Sequence, residues 1–289
     1  NEPVDAVVEQ TPNRIQMNFL GRYESGIFGE SAAEIPAVDA ASKRGFVVNA
    51  EKGALDVLDL SVPASPKLLS TLRVSDISGI PANAVVNSVA SKNGLVAIAI
   101  ESSPKTDPGF VAIYRANDLA LLDFIEVGAQ PDMLVFTPNG SQLLVANEGE
   151  PADNYVIDPE GSISVVDVST PSVLSLRTAS FRIFNDQAQA LRTQGVRIFG
   201  RNATVAQDLE PEYIAVSPDS KTAYVSLQEN NAMAVIDLAT ARVSKVLPFG
   251  YKNHGEMGNG FAANDKDAGV SIALHPGVLG MYQPDAIAV

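Results

Sequence analysis

A short meander, used again and again, governs the folding options of this chain. Between Glu210 and Ala241 the sequence EPEYIAVSPDSKTAYVSLQENNAMAVIDLATA predicts three strands, Tyr213–Val216, Thr222–Leu227 and Ala232–Leu238. Ser217-Pro218-Asp219-Ser220 separates the first two. There the proline fixes φ, and the Asp and Ser side chains can bond the local backbone, which is turn chemistry. Gln228-Glu229-Asn230-Asn231 separates the next two, and Asp237 closes the third before Ala239-Thr240-Ala241. A sheet this small cannot bury both of its faces alone. It needs neighbours of its own kind.

The rest of the chain supplies them. The closing strand recurs as LDVLDLS from Leu55 and ISVVDVS from Ile163, and more weakly over Phe110–Asn117. The opening strand recurs as PDMLVFTPNG from Pro131, as PDAIAV from Pro284, and less faithfully as EIPAVD from Glu34. Units of roughly 45–50 residues holding several short strands each mark a β-propeller. The expected fold is therefore all-β. An N-terminal arm covers 1–13 and a propeller domain 14–289, with units near 34–80, 81–130, 131–184 and 210–250 and the start of a fifth at 284. Segments 185–209 and 250–283 interrupt the pattern as insertions. In the first, Asn185 is placed to cap a short helix that Gly195 ends. Ile15, Met17 and Phe19 alternate as an outer strand would. A closed ring hides its edges with complete blades. With about four blades and only the opening strand Asp285–Val289 of a fifth, the expectation is an open arc of a larger propeller.

Composition narrows the partners. The net charge of −14 disfavours nucleic acid and anionic membranes and favours cations. There is no cysteine, which excludes disulfides, thiolate metal sites and cysteine nucleophiles. No apolar run is long enough for a transmembrane helix. The start, NEPVDAVVEQTPN, lacks the basic and apolar regions of a signal peptide and reads as a mature N-terminus after its removal, or as an arbitrary start.

The acidic residues are not scattered. They open the first strand of a unit at Glu34, Asp132, Glu212 and Asp285, and they close the second at Glu51, Glu101, Glu148 and Glu229. In an antiparallel meander those two positions share one edge, so the carboxylates are expected on one face of the ring. A long acidic loop, 148–161, leaves from the same edge. Two readings are open. One is a solvated acidic rim. The other is a site for a hard cation such as calcium, which takes six to eight oxygen ligands. The candidate ligands are Glu34, Glu148, Glu150, Asp153, Asp158 and Glu212, with Asp265 and Asp267 in the second insertion as a weaker D-x-D pair. No organic cofactor is expected. The chain shows no G-x-S-x-G elbow, P-loop or H-E-x-x-H motif. His254 and His275 read as loop residues, and Arg182, Arg192, Arg197 and Arg201 are the one basic concentration.

TPNGSQLLVANEGEP, QDLEPEY and SPDSKTAYVSLQENNAMAVIDLATA resemble the YVTN-type repeats of surface-layer propellers. FLGRYESGIFGESAAEI and GFAANDKDAGVSI extend a resemblance, over nearly the whole chain, to the choice-of-anchor I family, which is related to mesenchyme-specific cell-surface glycoproteins. The resemblance implies an extracellular, periplasmic or cell-surface propeller of unsettled role; the expected function is a binding module for a protein, a glycan or a small molecule. Some members carry an alkaline phosphatase-like label, so a metal-dependent phosphoester hydrolase is the alternative it implies. A structural surface-layer component is a further one.

Overall fold

A computed structural model describes residues 15–30, 32–264, 266 and 269–289. Four antiparallel sheets of four strands follow one another, each a meander whose strands pair in chain order. The first holds β1 (Pro36–Asp39), β2 (Arg44–Asn49), β3 (Ala54–Asp59) and β4 (Lys67–Arg73). The second holds β5 (Val85–Lys92), β6 (Leu95–Glu101), β7 (Pro108–Arg115) and β8 (Leu121–Ala129). The third holds β9 (Pro131–Phe136), β10 (Gln142–Asn147), β11 (Ser162–Asp167) and β12 (Ser175–Ser180). The fourth holds β13 (Pro211–Val216), β14 (Thr222–Leu227), β15 (Ala232–Asp237) and β16 (Arg242–Pro248). A short pair, β17 (Tyr251–Asn253) and β18 (Leu279–Met281), follows. Two short helices, α1 (Ala188–Gln194) and α2 (Val205–Asp208), lie between the third and fourth sheets in sequence.

The middle strands read as unbroken apolar runs because both of their faces are covered. Along β10, Leu144 and Ala146 join a core with Ile214 and Val225 of the fourth sheet. The alternate residues Leu143 and Val145 join another with Val111 and Ile113 of the second. β6 divides likewise, with Ile98 and Ile100 facing Phe46 and Leu55 of the first sheet and Ala97 and Ala99 facing the third. Strand side chains alternate between faces, so each strand feeds two cores. Each leucine or isoleucine buried in this way stabilises the packing by about 1.5–3 kcal/mol. The opening strands pack in succession, β1 on β5, β5 on β9 and β9 on β13. Sheets stacked this way give an all-β, propeller-like fold. Among the described residues no hydrogen-bonded strand pair joins the first sheet to the fourth.

One contact recurs between neighbouring sheets. A Cβ on Gly109 would lie 2.4 Å from Pro131 Cδ, and one on Gly161 would lie 2.0 Å from Leu209 O and 2.8 Å from Pro211 Cδ. Glycine at the start of a third strand thus lets the next sheet's opening proline seat against bare backbone. In the fourth sheet Asn231 takes this place, and its Oδ1 accepts from the Tyr282 and Gln283 N–H groups just before Pro284.

Three expectations change. Residues 15–23 form no strand, and Ile15, Met17 and Phe19 are exposed, because β4 already holds the outer position of the first sheet. The terminal stretch 285–289 makes no ladder. Instead Ile287 and Val289 border a cavity with Met133 and Val135 of β9 and Tyr213 and Ala215 of β13. Asn185 does not cap α1, whose N-cap is Gln187. Its Oδ1 accepts from Ala206 N–H at 3.0 Å and so steadies α2. Gly195 does end α1, at φ +104°.

Candidate functional site

A register break at the start of three opening strands builds the site. β9 pairs Met133 with Ala146 but Pro131 with Asn147, which leaves Asp132 as an extra residue. β13 breaks between Ile214 and Pro211, and β5 between Ser88 and Val86. A bulge lifts one residue out of the ladder and re-aims its side chain. The lifted positions are Asn87, Asp132 and Glu212. At the same edge of these hairpins, opposite the opening-strand starts, β10 runs into Glu148 and β14 into the turn that holds Glu229. Glu148, Glu212 and Glu229 converge as a result, each offering one carboxylate oxygen, with those oxygens all within 4.8 Å of one another.

Gln130, buried and in the left-handed region at φ +50°, clamps one side of the cluster. Its carbonyl accepts from Glu148 N–H at 2.9 Å. Its side-chain amide donates to Glu148 Oε2 at 2.5 Å and to Glu150 Oε2 at 2.8 Å, and its Oε1 accepts from Glu150 N–H at 3.1 Å. Lys105 forms an ion pair with Glu150. Asn87 Nδ2 donates to Glu101 Oε2 at 2.9 Å and to Pro131 O at 3.3 Å, joining the second sheet to the third.

Most of the carboxylates are left with too little positive charge. Burial pushes Glu148 up to about 9, and the charges of Glu150, Asp132, Glu212 and Glu229 add to it. Burial and then Glu229 and Asp132 raise Glu212 to about 7, while burial and then Glu101 raise Asp132 to about 6. Glu150 goes the other way: burial opposes its charge, but Lys105 and Gln130 outweigh that and hold it low. A buried acid in such surroundings keeps its proton or recruits a cation.

A pocket of about 220 Å³ adjoins the cluster and shares Glu229 with it; Asp158, Glu210 and Phe199 are among its walls. The insertion makes that wall. Asp208 accepts from the Phe199 N–H at 3.0 Å and from the Gly200 N–H, fixing the loop before α2. Asn230 Nδ2 donates to Arg197 O at 2.9 Å and to Asp208 O at 2.7 Å, tying that loop to the fourth sheet. Gln207 completes a capping box with Thr204 and donates to Asp158 O at 2.8 Å, which brings the long acidic loop to α2.

Of the expected ligands, Glu148 and Glu212 meet, and Glu229, expected only on the shared face, completes the trio. Glu150 borders them but is held by Lys105 and Gln130. Asp158 faces the adjoining pocket instead. Asp153 is exposed, because the Ala152 N–H to Ile157 O and Tyr155 N–H to Ala152 O bonds fold the loop tip back and leave it outside. Glu34 and Glu51 are exposed on the first sheet, whose opening strand packs on β5 rather than on β9 or β13, and neither joins the trio. Asp265 and Asp267 lie outside the described residues. Gln130, Lys105 and Glu210 gave no signal of their own in the sequence; the repeat would have flagged Glu210 only as the neighbour of Pro211.

The two histidines serve local packing. His254 Nδ1 lies 2.7 Å from Asn259 O and His275 Nε2 lies 3.1 Å from Phe261 O, and both rings pack on Phe261. The arginines are likewise engaged: Arg182 pairs with Glu160 at 2.6 Å, Arg192 donates to Ile198 O, and Arg197 donates to Glu229 O while lying 3.7 Å over the Phe199 ring.

No curated protein matches the chain. Among solved structures, it resembles a functionally unknown protein from Desulfotomaculum acetoxidans at TM-score 0.50 and 10% identity, over 76% of this chain and 57% of that one. It also resembles a protein from Lactobacillus plantarum at TM-score 0.49 and 17% identity, over 75% of this chain and 57% of that one. The chain thus spans under two thirds of the length of either neighbour, and the first likeness speaks for the fold alone. The profile of the choice-of-anchor I domain matches residues 34–289. The chain therefore belongs to the choice-of-anchor I family.

Proposed function

We propose that this chain works as an exported or cell-surface binding module and that its acidic cluster holds a hard divalent cation such as calcium. The observation that carries the reading is the convergence of Glu148, Glu212 and Glu229, brought from two sheets to within 4.8 Å. The donor set is oxygen alone, which suits calcium, and a double positive charge would answer the crowding of these half-buried acids. Glu229 Oε2 supports the same reading, since it is buried and receives no hydrogen bond. Bound there, a cation would join the third sheet to the fourth and leave part of its coordination shell for a ligand. Membership of the choice-of-anchor family supports the surface location. The same reading takes the four sheets as consecutive blades of a larger ring, supported by the unpaired first and fourth sheets among the described residues.

Thermal unfolding with and without calcium tests the cation. A ligand that binds only the folded state stabilises it by about 2.7 kcal/mol at a hundred times its dissociation constant. Calcium at millimolar concentration should raise the melting temperature, and Glu148→Gln combined with Glu212→Gln should remove the rise. If the wild-type protein shows no shift, the cluster is a solvated rim.

A further inference from the structure

The pocket beside the cluster is built differently from a metal cage. Glu210 lines it and is 8% exposed, yet its carboxylate has neither a hydrogen-bond donor nor an ion-pair partner among the described residues. Two more wall residues repeat the pattern: Asp158 Oδ1 and Glu229 Oε2 are shut off from solvent and receive no hydrogen bond. Leaving a buried acceptor unpaired is destabilising, and more so for a charged group. Three unpaired acid side chains on one cavity, two of them with an oxygen shut off from solvent, call for a donor that the protein itself does not provide. Asp208, on the same wall, needs none, since it already accepts from Phe199, Gly200 and Asn230.

The shape and lining choose among donors. The carboxylates close enough to share one metal ion are Glu148, Glu212 and Glu229, and neither Asp158 nor Glu210 is in that group. A hard cation binds oxygens in a tight shell. These acceptors instead border a space of about 220 Å³, large enough for several heavy atoms. Pro151, Tyr155, Phe199 and Ala203 give the same space apolar walls. Among the described residues Arg201 is the one basic wall residue; it is exposed and makes no ion pair with Asp158, Glu210 or Glu229, so it leaves them unneutralised. A group with several N–H donors, a positive charge and an alkyl chain meets every one of these features. A primary ammonium carries three donors and no acceptor. Aromatic faces add attraction for such a cation.

We infer that this pocket binds the ammonium group of a small aliphatic amine, with Glu210, Asp158 and Glu229 receiving its N–H bonds. Tyr155 and Phe199 flank the methylene chain. The inference goes beyond the cation site and does not require it, because its acceptors are satisfied by the amine alone.

Calorimetric titration of the purified chain with 1,5-diaminopentane, in chelator and without divalent cation, tests it. Saturable one-to-one binding is expected, with no response to 1,5-pentanediol, which has the same chain but no charge. Glu210→Gln should weaken binding at least tenfold, and Asp158→Asn should weaken it as well. Glu210→Gln removes a buried unpaired acid and should unfold at a higher temperature than wild type, so lost binding is then not lost folding. Should that variant misfold, Asp158→Asn decides. Equal response to the diol, or full affinity in the folded variants, would overturn the inference, and because chelator is present the outcome is independent of whether calcium binds.

Discussion

Glu148 sits at the centre of a charge conflict with a measurable pH signature. Burial, together with Glu150, Asp132, Glu212 and Glu229, carries it from an ordinary 4.5 to about 9, while the nearby Lys105 is committed to Glu150. An acid whose pKa is higher in the folded state takes up protons on folding. Its stabilising contribution is complete below about 4.5 and is lost as the pH climbs through about 9. Glu210, raised by burial and by Glu229 to about 8, and Glu212, raised to about 7, act in the same direction. In chelator, then, the melting temperature should fall between about pH 5 and pH 9. Glu148→Gln, which cannot ionise, should fall less and should be the more stable protein at the alkaline end. Calcium favours the ionised form, so its stabilising effect should grow over the same range. A wild-type melting temperature that rises with pH would contradict this account of the cluster.

Among elements, the seams between sheets rest on close approach as much as on apolar packing. At Gly161 the backbone of the acidic loop passes so near Leu209 O and Pro211 that no side chain fits. Gly161→Ala must push the fourth sheet's opening strand away from the third or distort both, at about 1–3 kcal/mol or more. That strand carries Glu212 and the loop end carries Glu160, so the effect reaches the site as well as the fold. The expected result is a lower melting temperature together with a weakened calcium response. Gly109→Ala, at the matching seam against Pro131, should lower stability comparably while sparing the contact between the third and fourth sheets. Equal calcium responses in the two variants would show that the seam at Gly161 does not position Glu212.

At the scale of the molecule, three apolar cores lie between successive sheets, and each sheet touches its neighbours rather than a common centre. Stability in such an array is close to a sum of nearest-neighbour terms. Phe46, fully buried between the first and second sheets, and Phe181, fully buried between the third and fourth, make a matched pair. Truncating either to alanine should cost about 3–5 kcal/mol locally. Phe181→Ala should also impair calcium and amine binding, because its core supports the strands that carry the site, whereas Phe46→Ala should leave both nearly intact. Hydrogen exchange should show the loosening confined to the sheets flanking each cavity. A uniform loss of protection over all four sheets would argue against the nearest-neighbour picture.

Local chemistry was legible along the chain. Apolar runs of strand length separated by Pro-Asp and Pro-Asn turns set out the strands and their repetition, since side-chain alternation and turn preferences act over a few residues. The same repetition put Glu148 and Glu212 at one edge, and they meet there. What local pattern could not decide was which acidic residues share a cavity. Asp153 and Asp158 look alike in sequence, but hydrogen bonds within the loop tip turn the first outward, while the Gln207 bond to Asp158 O holds the second against α2. Gln130 clamps Glu148 only once β9 pairs with β10, and Lys105 reaches Glu150 only once the second sheet is stacked on the third. Glu34 shares the motif of Glu212 and stays outside the cluster because its sheet lies on the far side of β5. Repeated short-range preferences wrote the four-stranded sheets, and the order in which those sheets pack chose the residues of the site.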